Sequence, residues 1–193
     1  MRHQIVLPDI EYPAGFEFPA LKNRLSDYPA PERFARWGSL SKGVILPMHG
    51  FVDDWRIEAI WRDKYKSLDK VASSGVAVAP DYTVEVDDPS VYAFYQVWRS
   101  RVVARYWQDC GVFSIPALQW SRPELNHSLF SGLKDCEVVA VRSPTRGTVK
   151  EWVECVEQYL IINKPLFVLH FGTKNGLYVW TDNGIDSVNL NLR

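Results

Sequence analysis

Val76-Ala77-Val78-Ala79-Pro80-Asp81 decides the reading of this chain. Four small apolar residues in a row suit a strand covered on both faces, and a proline and an aspartate end the run at once. Behind it, Pro89 to Asp109 has the spacing of a long helix. Asp88 stands as its N-cap, Pro89 at the first helical position and Gly111 just past the end. The same unit recurs in both directions. Upstream, Val44 to Met48 is followed by Asp54 to Ser73, where Ile57, Ile60, Trp61, Tyr65, Leu68 and Val71 keep helical spacing. Downstream come Val112 to Leu118, then a capping box, Ser121-Arg122-Pro123-Glu124, opening a helix that stops near Gly132. Val138 to Val141 follows, and a second capping box, Thr148-Val149-Lys150-Glu151, opens a helix to Ile162 before the fifth run, Leu166 to Leu169.

Short apolar strands alternating with amphipathic helices define an α/β fold. They predict a mostly parallel five- or six-stranded sheet with helices on both faces and right-handed crossovers. Five such units are too few for an eight-unit barrel, which leaves a doubly wound sheet or an incomplete, barrel-like one. The 193 residues read as a single domain. Residues 1–42 form an irregular arm packed on it, where Pro8, Pro13, Pro19, Pro29 and Pro31 interleave with Tyr12, Phe16, Phe18 and Tyr28. A short helix is expected there from Pro31 to Trp37. Residues 43–172 carry the β/α core. In residues 173–193, Leu177 to Val188 around Asp182-Asn183-Gly184 predicts a C-terminal hairpin.

With 47% hydrophobic, 13% aromatic and 23% charged residues, the composition excludes fibrous and disordered classes. A net charge of -1 supplies no basic field, so nucleic acid is not an expected partner. No run approaches the ~20 apolar residues of a membrane span, and Met1 to Glu11 lacks a signal-peptide core. Cys110, Cys136 and Cys155 form no C-x-x-C pair and read as free thiols of a reducing cytoplasm. His3, His49, His127 and His170 have no metal-ligand spacing, so no metal site is assigned. Dinucleotide, phosphate-loop and serine-hydrolase motifs are absent from the sequence. The Arg/Trp-rich stretch Trp98 to Trp107 suggests a nucleic-acid surface. Helix rise, however, carries Arg105 on the order of 24 Å from Pro89, toward the rim opposite the strand ends. Tyr95, Trp98, Val102 and Tyr106 then read as its buried stripe.

Parallel sheets bind ligands beyond the carboxyl ends of their strands. The residues that follow the runs are therefore the candidates: Asp53 and Asp54, then Asp81 and Tyr82, Gln119 and Trp120, Arg142, and His170. Asp81 stands out because it leaves a buried strand with no helix start close enough to cap. Asp54 and Asp81 are the candidate catalytic pair, either as general acid and base or as hard ligands for Mg²⁺ beside a phosphate. Trp120 and Tyr82 offer ring faces and Arg142 an anion contact. Asp53, Gln119 and His170 complete the candidate ligand-binding set.

Several blocks also share an order with a known family. They are Gly50-Phe51-Val52-Asp53-Asp54-Trp55-Arg56, Ala79-Pro80-Asp81-Tyr82-Thr83, Tyr95-Gln96-Val97-Trp98-Arg99-Ser100-Arg101, Ile115-Pro116-Ala117-Leu118-Gln119-Trp120 and Phe130-Ser131-Gly132-Leu133. Across residues 45–172 the chain resembles domain-of-unknown-function family 4417, of bacteria and their phages. It departs from the family pattern at Arg142-Ser143-Pro144 and at Phe171-Gly172. The resemblance implies a phage or mobile-element protein of the bacterial cytoplasm and transfers no activity. Two functions stay open. One is an enzyme acting on a nucleotide, base or sugar phosphate. The other is a non-catalytic phage accessory protein that binds a nucleotide-like ligand or a host protein.

Overall fold

Parallel pairing builds the sheet in chain order. The computed structural model describes residues 18–39 and 43–192. In order these hold β1 (Lys22–Asn23), β2 (Ala35–Arg36), β3 (Met48–Gly50), α1 (Asp54–Arg62), α2 (Lys64–Ala72), β4 (Val76–Pro80), α3 (Ser90–Asp109) and β5 (Phe113–Ile115). Then follow α4 (Pro123–Leu129), β6 (Asp135–Cys136), β7 (Val138–Arg142), α5 (Val149–Ile162), β8 (Phe167–Phe171), α6 (Tyr178–Asp182) and β9 (Asp186–Leu190). One parallel sheet runs β2-β3-β4-β5 and another β7-β8-β9, with β1 and β6 paired beside them. A bridge between Ala117 and Ala140 joins the two larger sheets. There Leu118 N–H donates to the Ala140 carbonyl at 2.8 Å, and Ala140 N–H to that of Pro116 at 2.9 Å.

That strand order is the barrel-like alternative, left open. Alternate residues face alternate sides, as the pleat requires. Val76, Val78, Val138, Ala140, Leu169 and Phe171 share one cluster with Phe34, Phe51 and Ile115. Ala79, Val139, Val141 and Val168 pack instead with Trp152, Val156 and Trp180 of the helices. The α-helices thus supply the outer clusters, where the sequence predicted helices on both faces. Across the interior the Phe171 ring meets Phe34 at 5.6 Å, His49 at 4.9 Å and Phe51 at 5.1 Å. Arg36 Nε donates to the Leu192 carbonyl, so β2 and the residues just past β9 meet, while among the described residues β2 and β9 do not pair.

The structure corrects several local expectations. There is no C-terminal hairpin: β9 runs parallel to β8, from Phe167 opposite Asp186 to Phe171 opposite Leu190. Asn183-Gly184 closes α6 instead, with Gly184 at φ 71° and its N–H on the Thr181 carbonyl. The same dipeptide suits a hairpin turn and a helix C-terminus, and burial of Trp180 selects the helix. Pro31 to Trp37 is not a helix, because Ala35 and Trp37 donate to the Pro47 and His49 carbonyls to make β2. The helix from Asp54 breaks at Asp63, whose carboxylate accepts from Lys66 N–H at 3.1 Å. Neither capping box forms. The Ser121 hydroxyl donates to the Glu85 carbonyl, and Thr148 caps α5 without a side-chain bond. Asp88 accepts from Glu85 N–H and leaves the N-cap of α3 to Pro89. On α3, Tyr95 is exposed, while Gln96, Val97, Val102 and Trp107 are buried, because α3 is enclosed by the sheet and three helices. Pro8, Tyr12, Pro13 and Phe16 of the arm, and His3, lie outside the described residues.

Gly50 fixes the register of β3 against β4. A Cβ there would lie 2.6 Å from Pro80 Cα and 2.7 Å from the Ala79 carbonyl oxygen, and backbone cannot move aside cheaply. Gly50→Ala is expected to cost about 1–3 kcal/mol. In a thermal melt this lowers the midpoint by roughly 3–10 °C. An unchanged midpoint contradicts the register.

Candidate functional site

The strand order carries the ends of β4, β5 and β7 to one edge. A cleft of about 340 Å³ opens there, with Asp81, Gln119, Trp120, Arg142, Thr148 and Trp152 in its wall. Four of the residues singled out in the sequence therefore share one cavity: Asp81, Gln119, Trp120 and Arg142. Tyr82 also borders it, but the Tyr82 ring is fully buried, with the Arg99 guanidinium 3.5 Å above it, so that face is already covered. Burial pushes the Tyr82 phenol well above its ordinary pKa.

Asp81 follows β4 directly, and its backbone N–H reaches the Gly50 carbonyl. Among the described residues its half-buried carboxyl group makes no hydrogen bond and no ion pair. Burial raises its pKa from 3.8 to about 7, with the Asp54 charge adding to the rise and Arg142 opposing it. Arg142 ends β7, exposed, and its guanidinium is likewise unpaired among the described residues. Gln119 is 3% exposed. Its Nε2 donates to the Tyr82 carbonyl at 2.6 Å, while Oε1 has no partner among the described residues. Trp152, in the first turns of α5 and 1% exposed, has an indole N–H in the same state. Sequence reasoning missed Trp152 because candidates were taken only from the residues directly after each apolar run; its place on the helix that follows β7 was the available signal.

The remaining candidates lie elsewhere. Asp53 is the exposed N-cap of α1, 3.8 Å from Arg56. Asp54 accepts from Thr83 N–H at 3.0 Å and from its hydroxyl at 2.8 Å, so it ties α1 to the loop after β4 and stays outside the cleft wall. His170 is buried in the core. Its Nδ1 accepts from the Trp180 indole N–H, its Nε2 sits 3.1 Å from the Thr173 carbonyl, and burial lowers its pKa to about 4. Among the described residues no three His, Cys, Asp or Glu side chains gather to hold a metal. Nor is any helix long and apolar enough to cross a membrane.

Larger hollows occur at the opposite rim, about 560 Å³, and on the outside of α1 and α2, about 610 Å³. At the opposite rim the arginines are committed, Arg24 to Glu137 and Arg105 to Asp109, each at 2.8 Å. The strand-end cleft differs in setting Arg142 beside a carboxyl group, Asp81, that makes neither an ion pair nor a hydrogen bond among the described residues, whereas Asp27 at the opposite rim accepts from the Ser26 hydroxyl.

Fold and cleft together define an open, barrel-like α/β protein with a cavity at its strand carboxyl edge. The chain belongs to the family described as domain of unknown function (DUF4417), whose profile matches residues 10–178 and so reaches into the arm. It is 32% identical over 111 residues to the "Gene 1 protein" of Mycobacterium phage D29, covering 58% of this chain and 40% of that protein. It is 33% identical over 96 residues to the "Gene 1 protein" of Mycobacterium phage L5, covering 50% of this chain and 42% of that protein. The chain thus spans about two fifths of the length of these phage relatives. No solved structure matches it.

The raised pKa of Asp81 has a direct consequence for stability. Its folded-state pKa lies above the unfolded value, so between pH 4 and 7 the native state holds more protons than the unfolded chain. The Asp81 contribution to stability therefore falls as pH rises through that window, then levels off. Asp81→Asn removes the penalty. Its thermal midpoint should match the native protein near pH 4 and exceed it by about 3–6 °C at pH 8. A midpoint lowered at pH 8 would show a carboxylate held for structure.

Proposed function

We propose that the strand-edge cleft binds a small ligand with a ring and an acidic group, a nucleotide or a sugar phosphate. On this reading Asp81 exchanges a proton with the ligand. The observation that carries the reading is the uncommitted Asp81 and Arg142 on one cavity. A carboxyl group taken partly out of water without hydrogen bonds costs stability, and such a cost is tolerated where function needs the group. A carboxyl group titrating near neutrality can act as both acid and base in the cell. Trp120 offers a ring face in the wall, and Arg142 a fork for an anion. Asp54 enters this reading as the group that holds the Tyr82–Thr83 loop, and through its charge as one cause of the high Asp81 pKa. The protein works in the bacterial cytoplasm, where Cys110, Cys136 and Cys155 stay free.

Mass spectrometry of small molecules released by heat from freshly purified protein tests the reading. A ring-bearing acidic compound is expected, retained by the native protein and lost from Trp120→Ala. Asp81→Asn should keep the compound bound but block any chemical change that the native protein makes to it. Release of nothing above the background of Trp120→Ala contradicts the proposal.

A further inference from the structure

The cleft combines polar groups with an apolar and aromatic wall. Arg142 and the Thr145 and Thr148 hydroxyls line it together. The 14-residue α5 follows directly on a 3-10 turn at Arg146–Thr148, and its dipole favours an anion near that end. The Thr145 and Thr148 hydroxyls sit 3.1 Å apart. Arg146, in the same loop, makes no ion pair among the described residues. The one acid of the first turn, Glu151, is exposed and outside the cleft wall. A helix start alone would carry little. The buried Trp152 indole N–H, unpartnered among the described residues, adds an independent donor in the same wall.

The cleft also holds acceptors. Gln119 Oε1 is buried and unpartnered among the described residues, and the Asp81 carboxyl group stands at the end of the neighbouring strand. Trp120 belongs to the same wall. At about 340 Å³ the cavity is at the small end of ligand sites, with room for a ring, a sugar and one phosphate.

Resting on the cleft reading above, we infer that the Arg142–Thr148 loop takes the phosphate of a phosphomonoester. Gln119 and Asp81 then meet a hydrogen-bond donor on its ring. The ligand class is a nucleoside monophosphate, in preference to a nucleoside, a triphosphate or a free anion.

Calorimetric titration of the full chain separates these. The probes are inorganic phosphate, ribose 5-phosphate, adenosine and uridine, their 5′-monophosphates and their 5′-triphosphates. A monophosphate is expected to bind at least roughly tenfold tighter than its nucleoside and than inorganic phosphate. Arg142→Gln and Thr148→Val alter exposed residues and leave the fold intact. They should each weaken the monophosphate several-fold and leave the weak nucleoside binding unchanged. Gln119→Leu should weaken the monophosphate and the nucleoside alike, and spare ribose 5-phosphate. Nucleoside binding equal to that of the monophosphate, or indifference to Arg142→Gln and Thr148→Val, overturns the phosphate end while the cleft reading stands. Inorganic phosphate or ribose 5-phosphate binding as tightly as the monophosphates overturns the ring end. If a triphosphate binds tightest, the size argument fails. If no probe binds, the phosphomonoester assignment falls; the ring-bearing acid released by heat then decides the cleft reading separately.

Discussion

Two hydrogen bonds between the Pro116–Leu118 segment and Ala140 hold the molecule's plan together. They join a four-stranded and a three-stranded parallel sheet where a gap would otherwise separate β5 from β7. Because Gln119 and Trp120 follow Leu118 directly, the same bridge sets them beside Arg142, two residues beyond Ala140. Pairing of β4 with β5 brings in Asp81. A single register therefore assembles four polar or aromatic groups from three separated stretches of chain into one cleft. Shifting that register by one residue would turn Val139 and Val141 toward the inner cluster and pull the cleft apart.

Around the cleft, charges are either committed or left open, and the contrast is local. Arg99, mostly buried, pairs with Glu58 at 2.7 Å, lies over the Tyr82 ring and reaches Asp54 at 4.0 Å. Asp54 in turn holds Thr83. This chain of contacts fastens the loop after β4 to α1 and explains why Asp54, one residue from an exposed N-cap, is spoken for. Asp81, two residues before Thr83, receives none of it. The rigid side of the loop presents a carboxyl group that the fold does not use, opposite a guanidinium that the fold does not use.

Much of this was legible in the sequence, and the physical reasons are specific. Apolar runs such as Val76–Ala79 and Val138–Val141 announce buried parallel strands, and the residue after each run announces the edge. Asp81, Gln119, Trp120 and Arg142 were singled out in that way, and they border one cavity. Strand order was not legible, because it depends on a two-bond bridge outside any regular strand. Asn183-Gly184 misled because one backbone conformation serves hairpin turns and helix ends alike. Ser121 and Thr148 misled because a hydroxyl can satisfy a neighbouring carbonyl as readily as its own helix. His170 follows a strand as a ligand would, yet its two nitrogens are occupied by Trp180 and Thr173, partners far apart in rank from any motif. Whether a polar group is already satisfied is a three-dimensional property, and it separates Asp81 from Asp54.

The most direct test of the central claim is a crystal structure of the full chain grown without removing small molecules that copurify with it. The account predicts ligand density in the strand-edge cleft, with a ring against Trp120 and an acidic group on Arg142. Density confined to the hollow at the opposite rim, beside Lys22 and Arg105, would contradict it.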